Sequence, residues 1–302
     1  MKVTILGCYA ATPRSFTNPT SQVLEINNHL FLIDCGEGTQ VQLRRNKIKF
    51  SKIRHIFISH LHGDHFYGLV GLVSTFRLLN REHELHIYGP KGIKEIITLQ
   101  LKLANSWTNF PLIFHELTSK EPEILLEDSK VTVSTLPLKH RVYTNGFLFK
   151  EKEGDRKLLI DKAEEYNIDY TLYKSLKKGK DVISEDGKQI ANHLVTSDPP
   201  APKSYAFCSD TVFDMDLVPM IRDTTFLYHE STFLDSQLDL AFPTKHSTAK
   251  QAATIAKAAN VEKLLLGHYS TRYENIEMFR TEASEIFSEV LLADDGKEFI
   301  VE

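Results

Sequence analysis

Apolar residues gather in short runs along this chain, and the runs recur with turns between them. Val3–Leu6, Val23–Ile26, Leu30–Ile33, Ile53–Ile58, Leu85–Tyr88 and Val131–Leu136 have the length and composition of buried strands. Asn27-Asn28 and Asp34-Cys35-Gly36-Glu37-Gly38 supply turns between the early ones. Phe66–Leu79 and Ile93–Ala104 instead place apolar residues three and four apart, the spacing of an amphipathic helix. The second half repeats the alternation: Ser204–Cys208 and Phe226–Tyr228 read as strands, Thr248–Ala259 as a helix, Lys263–Leu266 as a strand. Thr248 is placed to cap its helix. The pattern predicts an α/β protein whose two halves pack their sheets together with helices outside.

One stretch breaks this rhythm. Residues from about 150 to 203 are rich in Lys, Glu, Asp and Tyr and end in Asp198-Pro199-Pro200-Ala201-Pro202. The prolines read as a hinge or linker. The segment looks too polar for a core and long enough to project as an arm, with Lys174, Lys177, Lys178 and Lys180 as a basic tip. On charge alone such a tip is equally well a solvated surface.

Composition narrows the partners. At 302 residues, with 42% hydrophobic and 25% charged positions, the chain can bury a substantial core as one large domain or two small ones. Its net charge of −4 means that a nucleic acid would have to meet a local basic surface. Cys8, Cys35 and Cys208 are too scattered for a disulfide framework or a zinc knuckle, which fits a reducing compartment. The first residues enter a strand without an apolar leader, and no apolar run reaches the length of about 18 needed for a spanning helix. A cytoplasmic protein with no membrane association is expected.

The densest chemistry lies in Ser59-His60-Leu61-His62-Gly63-Asp64-His65, directly after the strand-like Ile56-Phe57-Ile58. In α/β folds, strand ends of this kind carry the site. His60 and His62 alternate, whereas Asp64 and His65 lie beyond Gly63, a residue that permits a sharp turn. One loop can therefore offer two ligand sets to two adjacent ions. Further ligands are sought at other strand ends, and His140, Asp210 and His268 each stand just past one. Imidazole and carboxylate donors without thiolate suit Zn²⁺, with Mn²⁺ or Fe²⁺ as alternatives. Asp210, the one candidate carboxylate outside the loop, is the expected bridge, and Asp64 is a candidate base as well as a ligand. A leaving alkoxide also needs an acid. His246 precedes the Thr248 helix and Glu230 could hold and charge it, although spacing alone does not pair them. His29, His55, His83, His86, His115, His193 and His229 read as surface or core residues.

These residues resemble the metallo-β-lactamase superfamily and, within it, the ribonuclease Z family of tRNA 3′-processing endonucleases. The resemblance runs over nearly the whole chain. Asp34-Cys35-Gly36-Glu37-Gly38-Thr39-Gln40 is similar to the family's first motif and the His60–His65 cluster to its second. His140, Asp210 and Gly267-His268-Tyr269-Ser270-Thr271-Arg272-Tyr273 are similar to its later ones. The resemblance implies an αββα sandwich spanning residues 1–302, with an inserted projecting arm that grips tRNA. It implies one metal on His60, His62, His140 and Asp210, and a second on Asp64, His65, Asp210 and His268. Tyr228–Phe233 resembles the family's H-E-A-T segment with Ser231 in place of Ala, which supports Glu230 and His246 as the proton-donor pair. Ser270 and Arg272 would hold a phosphate beside the metals, and the lysine tip would bind tRNA backbone without sequence preference.

The expected activity is dinuclear-zinc removal of the 3′ trailer from precursor tRNA, leaving a 3′-hydroxyl, by a homodimer with two ions per subunit. The alternative is a small-molecule or cyclic-nucleotide phosphodiesterase on the same scaffold. Arg44-Arg45-Asn46-Lys47-Ile48-Lys49 through Arg54 is a second candidate RNA contact that reads first as a solvated face. The family's P-x-K-x-R-N loop corresponds here to Pro13-Arg14-Ser15-Phe16-Thr17-Asn18, with Lys and Arg missing from their usual places, and the arm lacks the family's Gly-Pro pair. Discrimination against a 3′ CCA and docking of the arm are the functions these departures touch.

Overall fold

A computed structural model describes residues 1–12 and 14–301. Pro13, the first residue of the 13–18 loop singled out above, lies outside them. The described strands include two seven-stranded sheets and two short antiparallel pairs. In the first sheet, Glu298–Ile300, Lys2–Gly7, Ser21–Ile26 and His29–Ile33 pair antiparallel in that order. Ile53–Phe57, Leu85–Pro90 and Leu112–Leu117 then continue in parallel. The second sheet runs Val290–Leu292, Lys263–Gly267, Phe226–Glu230 and Ser204–Cys208 in parallel, followed by Tyr143–Glu151, Val131–Lys139 and Ile124–Glu127. Strands covered on both faces need apolar residues at successive positions, which is why central strands such as Ser204–Cys208 read as runs rather than alternations.

Two apolar layers hold the elements. Phe31 and Phe57 of the first sheet meet Phe147 and Phe149 of the second, with the Phe31 and Phe149 rings 5.3 Å apart. On the outer face of the first sheet, Leu43, Leu69, Leu72, Phe76, Ile93 and Ile97 come from helices Thr39–Arg45, Leu69–Leu78 and Ile93–Leu103. Helix Ala249–Ala258 covers the second sheet through Ala252, Ala253, Ile255 and Ala256. Thr248 caps it in a full capping box with Gln251. No helix among the described residues is long and apolar enough to cross a membrane.

The helix expected over Phe66–Leu79 is two helices, Gly63–Phe66 and Leu69–Leu78. Between them Gly68 donates its N–H to the Cys35 carbonyl at 2.9 Å, pinning the loop to the first motif. Gly63 corrects the sequence reading too. Its φ is not in the left-handed region; a Cβ there would stand 2.3 Å from the Tyr67 ring, so a side chain would require that exposed ring to move.

Residues Glu151–Pro202, with Asp128–Lys130, form a second compact unit. Contrary to the expectation of a segment too polar for a core, it has one of its own: Ala163, Ile168, Leu176, Val182, Ile190 and Val195 are buried together. Asn192 staples that unit, its Nδ2 donating to the carbonyls of Leu176 and Lys180 at 2.7 and 3.0 Å. Lys150 and Lys203, the edges expected for the arm, belong to the first unit.

Candidate metal centre

Parallel register puts Cys208 beside His229 and Glu230 beside Gly267, so residues past these strands emerge at one end of the second sheet. Asp210 and His268 emerge there with left-handed backbone, φ 61° and 59°, as Asp34 does past His29–Ile33 with φ 56°. Such conformations cost about 1–3 kcal/mol in non-glycine residues and persist where surrounding contacts fix them. His140 sits in the turn between Val131–Lys139 and Tyr143–Glu151. The Asn145 N–H beyond that turn donates to the Ser59 carbonyl at 3.0 Å, joining this end to the His60–His65 loop.

The seven side chains expected to bind metal form two clusters joined at Asp210. Its Oδ2 lies 3.5 Å from His60 Nε2 and 3.7 Å from His140 Nε2, and His62 Nδ1 stands 3.0 Å from His60 Nε2. Its Oδ1 lies 3.2 Å from both His65 Nε2 and His268 Nε2. Asp64 Oδ2 completes the second cluster, 3.4 Å from His65 Nε2 and 3.7 Å from His268 Nε2. Donors bound tetrahedrally at about 2.0–2.1 Å stand about 3.4 Å apart, so these separations are those of ligand shells.

The donor atoms fit metal ions on two further grounds. His65 Nε2, His140 Nε2 and His268 Nε2 are buried without a hydrogen-bond partner, although buried polar atoms are nearly always satisfied. The charges agree. Burial is outweighed at His65 by the carboxylates of Asp210, Asp64 and Asp34, which hold its imidazole protonated well above the ordinary range. At Asp210, burial is outweighed by His268, His65 and His60, which keep its carboxyl far below the usual range. The pocket thus favours a cation. Burial pushes His60, His62 and His140 down, leaving neutral imidazoles with a free lone pair.

Outer hydrogen bonds fix which nitrogen faces inward. His65 Nδ1 donates to Asp34 Oδ2 at 2.7 Å, and Ser59 Oγ donates to the same oxygen at 2.8 Å while meeting His60 Nδ1 at 3.0 Å. His140 Nδ1 donates to the Lys245 carbonyl at 2.9 Å. Thr232 Oγ1 accepts from His268 Nδ1 at 2.9 Å and donates to Glu230 Oε2 at 2.6 Å. Asp34, Ser59 and Thr232 were not assigned roles from sequence. Asp34 carried the same signal that found Asp210, a carboxylate just past a strand.

Glu230 Oε1 lies 2.8 Å from His246 Nδ1, with Glu230 fully buried. Its oxygens also accept the N–H groups of Thr211, Thr232 and Ser247. Burial alone would lower His246, but the Glu230 carboxylate outweighs it and raises the imidazole to about 9. His246 also forms a group with Asp210 and His268 whose donor atoms lie within 4.8 Å of one another.

Arg272 Nε donates to Ser270 Oγ at 3.1 Å and Arg272 Nη1 to Gln237 Oε1 at 2.8 Å, while Ser270 N–H donates to the Thr232 carbonyl. These two residues therefore stand beside the Thr232–His268 pair. In the second unit Lys174, Lys177, Lys178 and Lys180 are all exposed, and Lys178 is paired with Asp155 at 2.6 Å. Arg44, Arg45, Lys47, Lys49, Lys52 and Arg54 are exposed on the first unit. None of the histidines read as bystanders joins a metal-capable group among the described residues: His55 stacks on His86 and His86 on His115 across the first sheet, and His229 Nδ1 donates to the Glu230 carbonyl.

Comparison with known proteins agrees with this geometry. A family model described as Anti-Pycsar protein Apyc1 matches residues 1–152. A ribonuclease Z of Bacteroides fragilis is 43% identical over 292 residues, covering 97% of this chain and 96% of that protein. The crystal structure of human tRNase Z, short form, aligns over 100% of both chains with a TM-score of 0.72 and 28% identity. The metallo-β-lactamase fold protein YhfI from Bacillus subtilis shares the fold, with a TM-score of 0.69 at 21% identity over 99% of both chains.

Proposed function

The chain belongs to the ribonuclease Z family, and we infer from that membership that its metal-ligand cluster cuts precursor tRNA to release the 3′ trailer. Its first half also carries the match to the Apyc1 family model. The single observation that carries the reading is Asp210, which presents one carboxylate oxygen to each nitrogen cluster. We assign two Zn²⁺ ions per subunit, one to His60, His62, His140 and Asp210 and one to Asp64, His65, Asp210 and His268. When bound, such a pair lowers the pKa of water and neutralises charge on a phosphoryl oxygen.

The chain's own groups supply the proton transfers. Asp64, held ionised by His65 and His268 despite its burial, takes the proton of the attacking water. A new P–O bond forms as the bond from phosphorus to the 3′-oxygen of the tRNA breaks. His246, charged by Glu230, gives that oxygen its proton, so the tRNA leaves with a 3′-hydroxyl and the trailer keeps the phosphate. Ser270 and Arg272 orient a phosphate group beside His268. Lys174, Lys177, Lys178 and Lys180 bind tRNA backbone, in the manner of salt-sensitive phosphate contacts. The working state is a cytoplasmic homodimer.

The test is to offer the metal-loaded protein a precursor tRNA and a chromogenic phosphodiester. Cleavage at the trailer junction with a 3′-hydroxyl product, and a far higher kcat/KM on tRNA, is expected. Preference for the small diester, or for a cyclic nucleotide, would instead mark a phosphodiesterase on the same scaffold.

A further inference from the structure

A cavity of about 380 Å³ opens beside His246. Val212, Phe213, Leu238 and Phe242 form its apolar wall, while Lys245 and His246 stand at its polar side. Phe242 is 72% exposed and Phe213 37% exposed, so two aromatic rings are offered to solvent next to the candidate acid. Lys245 Nζ lies 5.4 Å from the Phe242 ring centre and has no ion-pair partner among the described residues. Its backbone is left-handed at φ 62°, and its carbonyl accepts the His140 Nδ1 proton, which ties this wall to the metal cluster.

We propose that this cavity is the subsite for the tRNA nucleotide that bears the leaving oxygen, the residue that becomes the mature 3′ end. The inference rests on the function given above and on His246 as the acid. If His246 protonates the 3′-oxygen, that oxygen sits within hydrogen-bond reach of His246, about 3 Å. The ribose is bonded to this oxygen, and the base hangs one sugar further on. The cavity's volume and its position beside His246 match a nucleoside placed in this way. Aromatic walls grip a base by stacking, which tolerates every base because each has a π face. An enzyme that must accept tRNAs ending in different nucleotides needs that tolerance. The free Lys245 ammonium would face the phosphate on the 5′ side of the same nucleotide.

The experiment pairs a protein change with a substrate change. Precursor tRNA is made with either a normal or an abasic residue on the 5′ side of the cut, and each is cleaved by wild-type, Phe242→Ala, Phe242→Leu and Phe242→Trp protein. The wild type should lose about tenfold or more in kcat/KM on the abasic substrate. Phe242→Ala and Phe242→Leu should show that loss on the normal substrate and little further loss on the abasic one. Phe242→Trp should restore the normal rate. Independent, multiplying losses would overturn the subsite. A Phe242→Ala protein with unchanged kinetics and an altered oligomeric state would also overturn it, assigning the patch to a subunit contact. Failure of the wild type to cut the normal substrate would instead bring down the functional reading beneath it.

Discussion

His65 Nδ1 donates to Asp34 Oδ2 across 2.7 Å, with both side chains fully buried. The bond commits Nδ1 to carrying the proton and turns Nε2 toward Asp210 and Asp64. Through Ser59 the same carboxylate also orients His60. One residue that touches neither ligand cluster's inner face thus sets a nitrogen in each.

Asp34→Asn keeps the shape and removes the charge that favours this arrangement. Metal affinity should fall about 10- to 100-fold, the usual cost of losing such an outer partner. Competition against a chelator of known affinity measures it, and unchanged affinity would remove Asp34 from the design.

The Glu230–His246 pair predicts the alkaline side of the pH profile. With its pKa raised to about 9, His246 is protonated at neutral pH and loses its proton as pH rises through that value. Activity should therefore fall above about pH 9. Glu230→Gln removes the raising charge and should move the fall toward the ordinary imidazole range near 6.5. His246→Ala should lower kcat by roughly 10²–10⁴. Rate against pH at saturating metal decides the matter; a limb that stays in place in Glu230→Gln would mean that His246 is not the titrating acid.

The second unit predicts a division among its lysines. Lys178 is already paired with Asp155, whereas Lys174, Lys177 and Lys180 have no ion-pair partner among the described residues. Replacing those three by Ala should raise KM for tRNA and flatten the salt dependence of log K by about 2 to 3. Lys178→Ala should do less. A small phosphodiester should be cut as before, and equal loss on both substrates would make the tip structural.

Thr248, two residues past His246, predicts a stability effect through its helix. Its hydroxyl accepts the Gln251 N–H at 3.2 Å, and the Gln251 side chain accepts the Thr248 N–H at 3.0 Å. Thr248→Ala should cost about 1 kcal/mol and Thr248→Ser much less, read by denaturant unfolding.

Much of this molecule is legible in its sequence because its strands are buried on both faces and therefore announce themselves as apolar runs. Ser204–Cys208 and Lys263–Gly267 are of that kind, and the site residues past them, Asp210 and His268, stand out by position. Tyr143–Glu151 was not read as a strand, since Thr144, Asn145 and Gly146 interrupt its apolar character at the very point where it approaches the site. Leu112–Leu117 lies at a sheet edge, mostly half-buried, and its pattern is correspondingly weak. The core of the second unit escaped because Ala163, Ile168, Leu176, Val182, Ile190 and Val195 are spread singly among charged residues. At the site, ligands are marked by residue type, whereas Asp34, Ser59 and Thr232 act through hydrogen bonds that only the fold brings about.

If the two clusters joined at Asp210 hold the metal that cuts precursor tRNA, bound metal and cleavage must be lost together. End-mapped cleavage of one precursor by zinc-loaded wild type, chelator-stripped wild type and zinc-incubated His65→Ala protein, with bound metal counted in each, tests this most directly. The loaded wild type should hold two ions and make a single cut at the trailer junction, with both metal and cleavage lost in the stripped protein and severely reduced in His65→Ala. Full cleavage by metal-depleted His65→Ala protein would contradict the assignment.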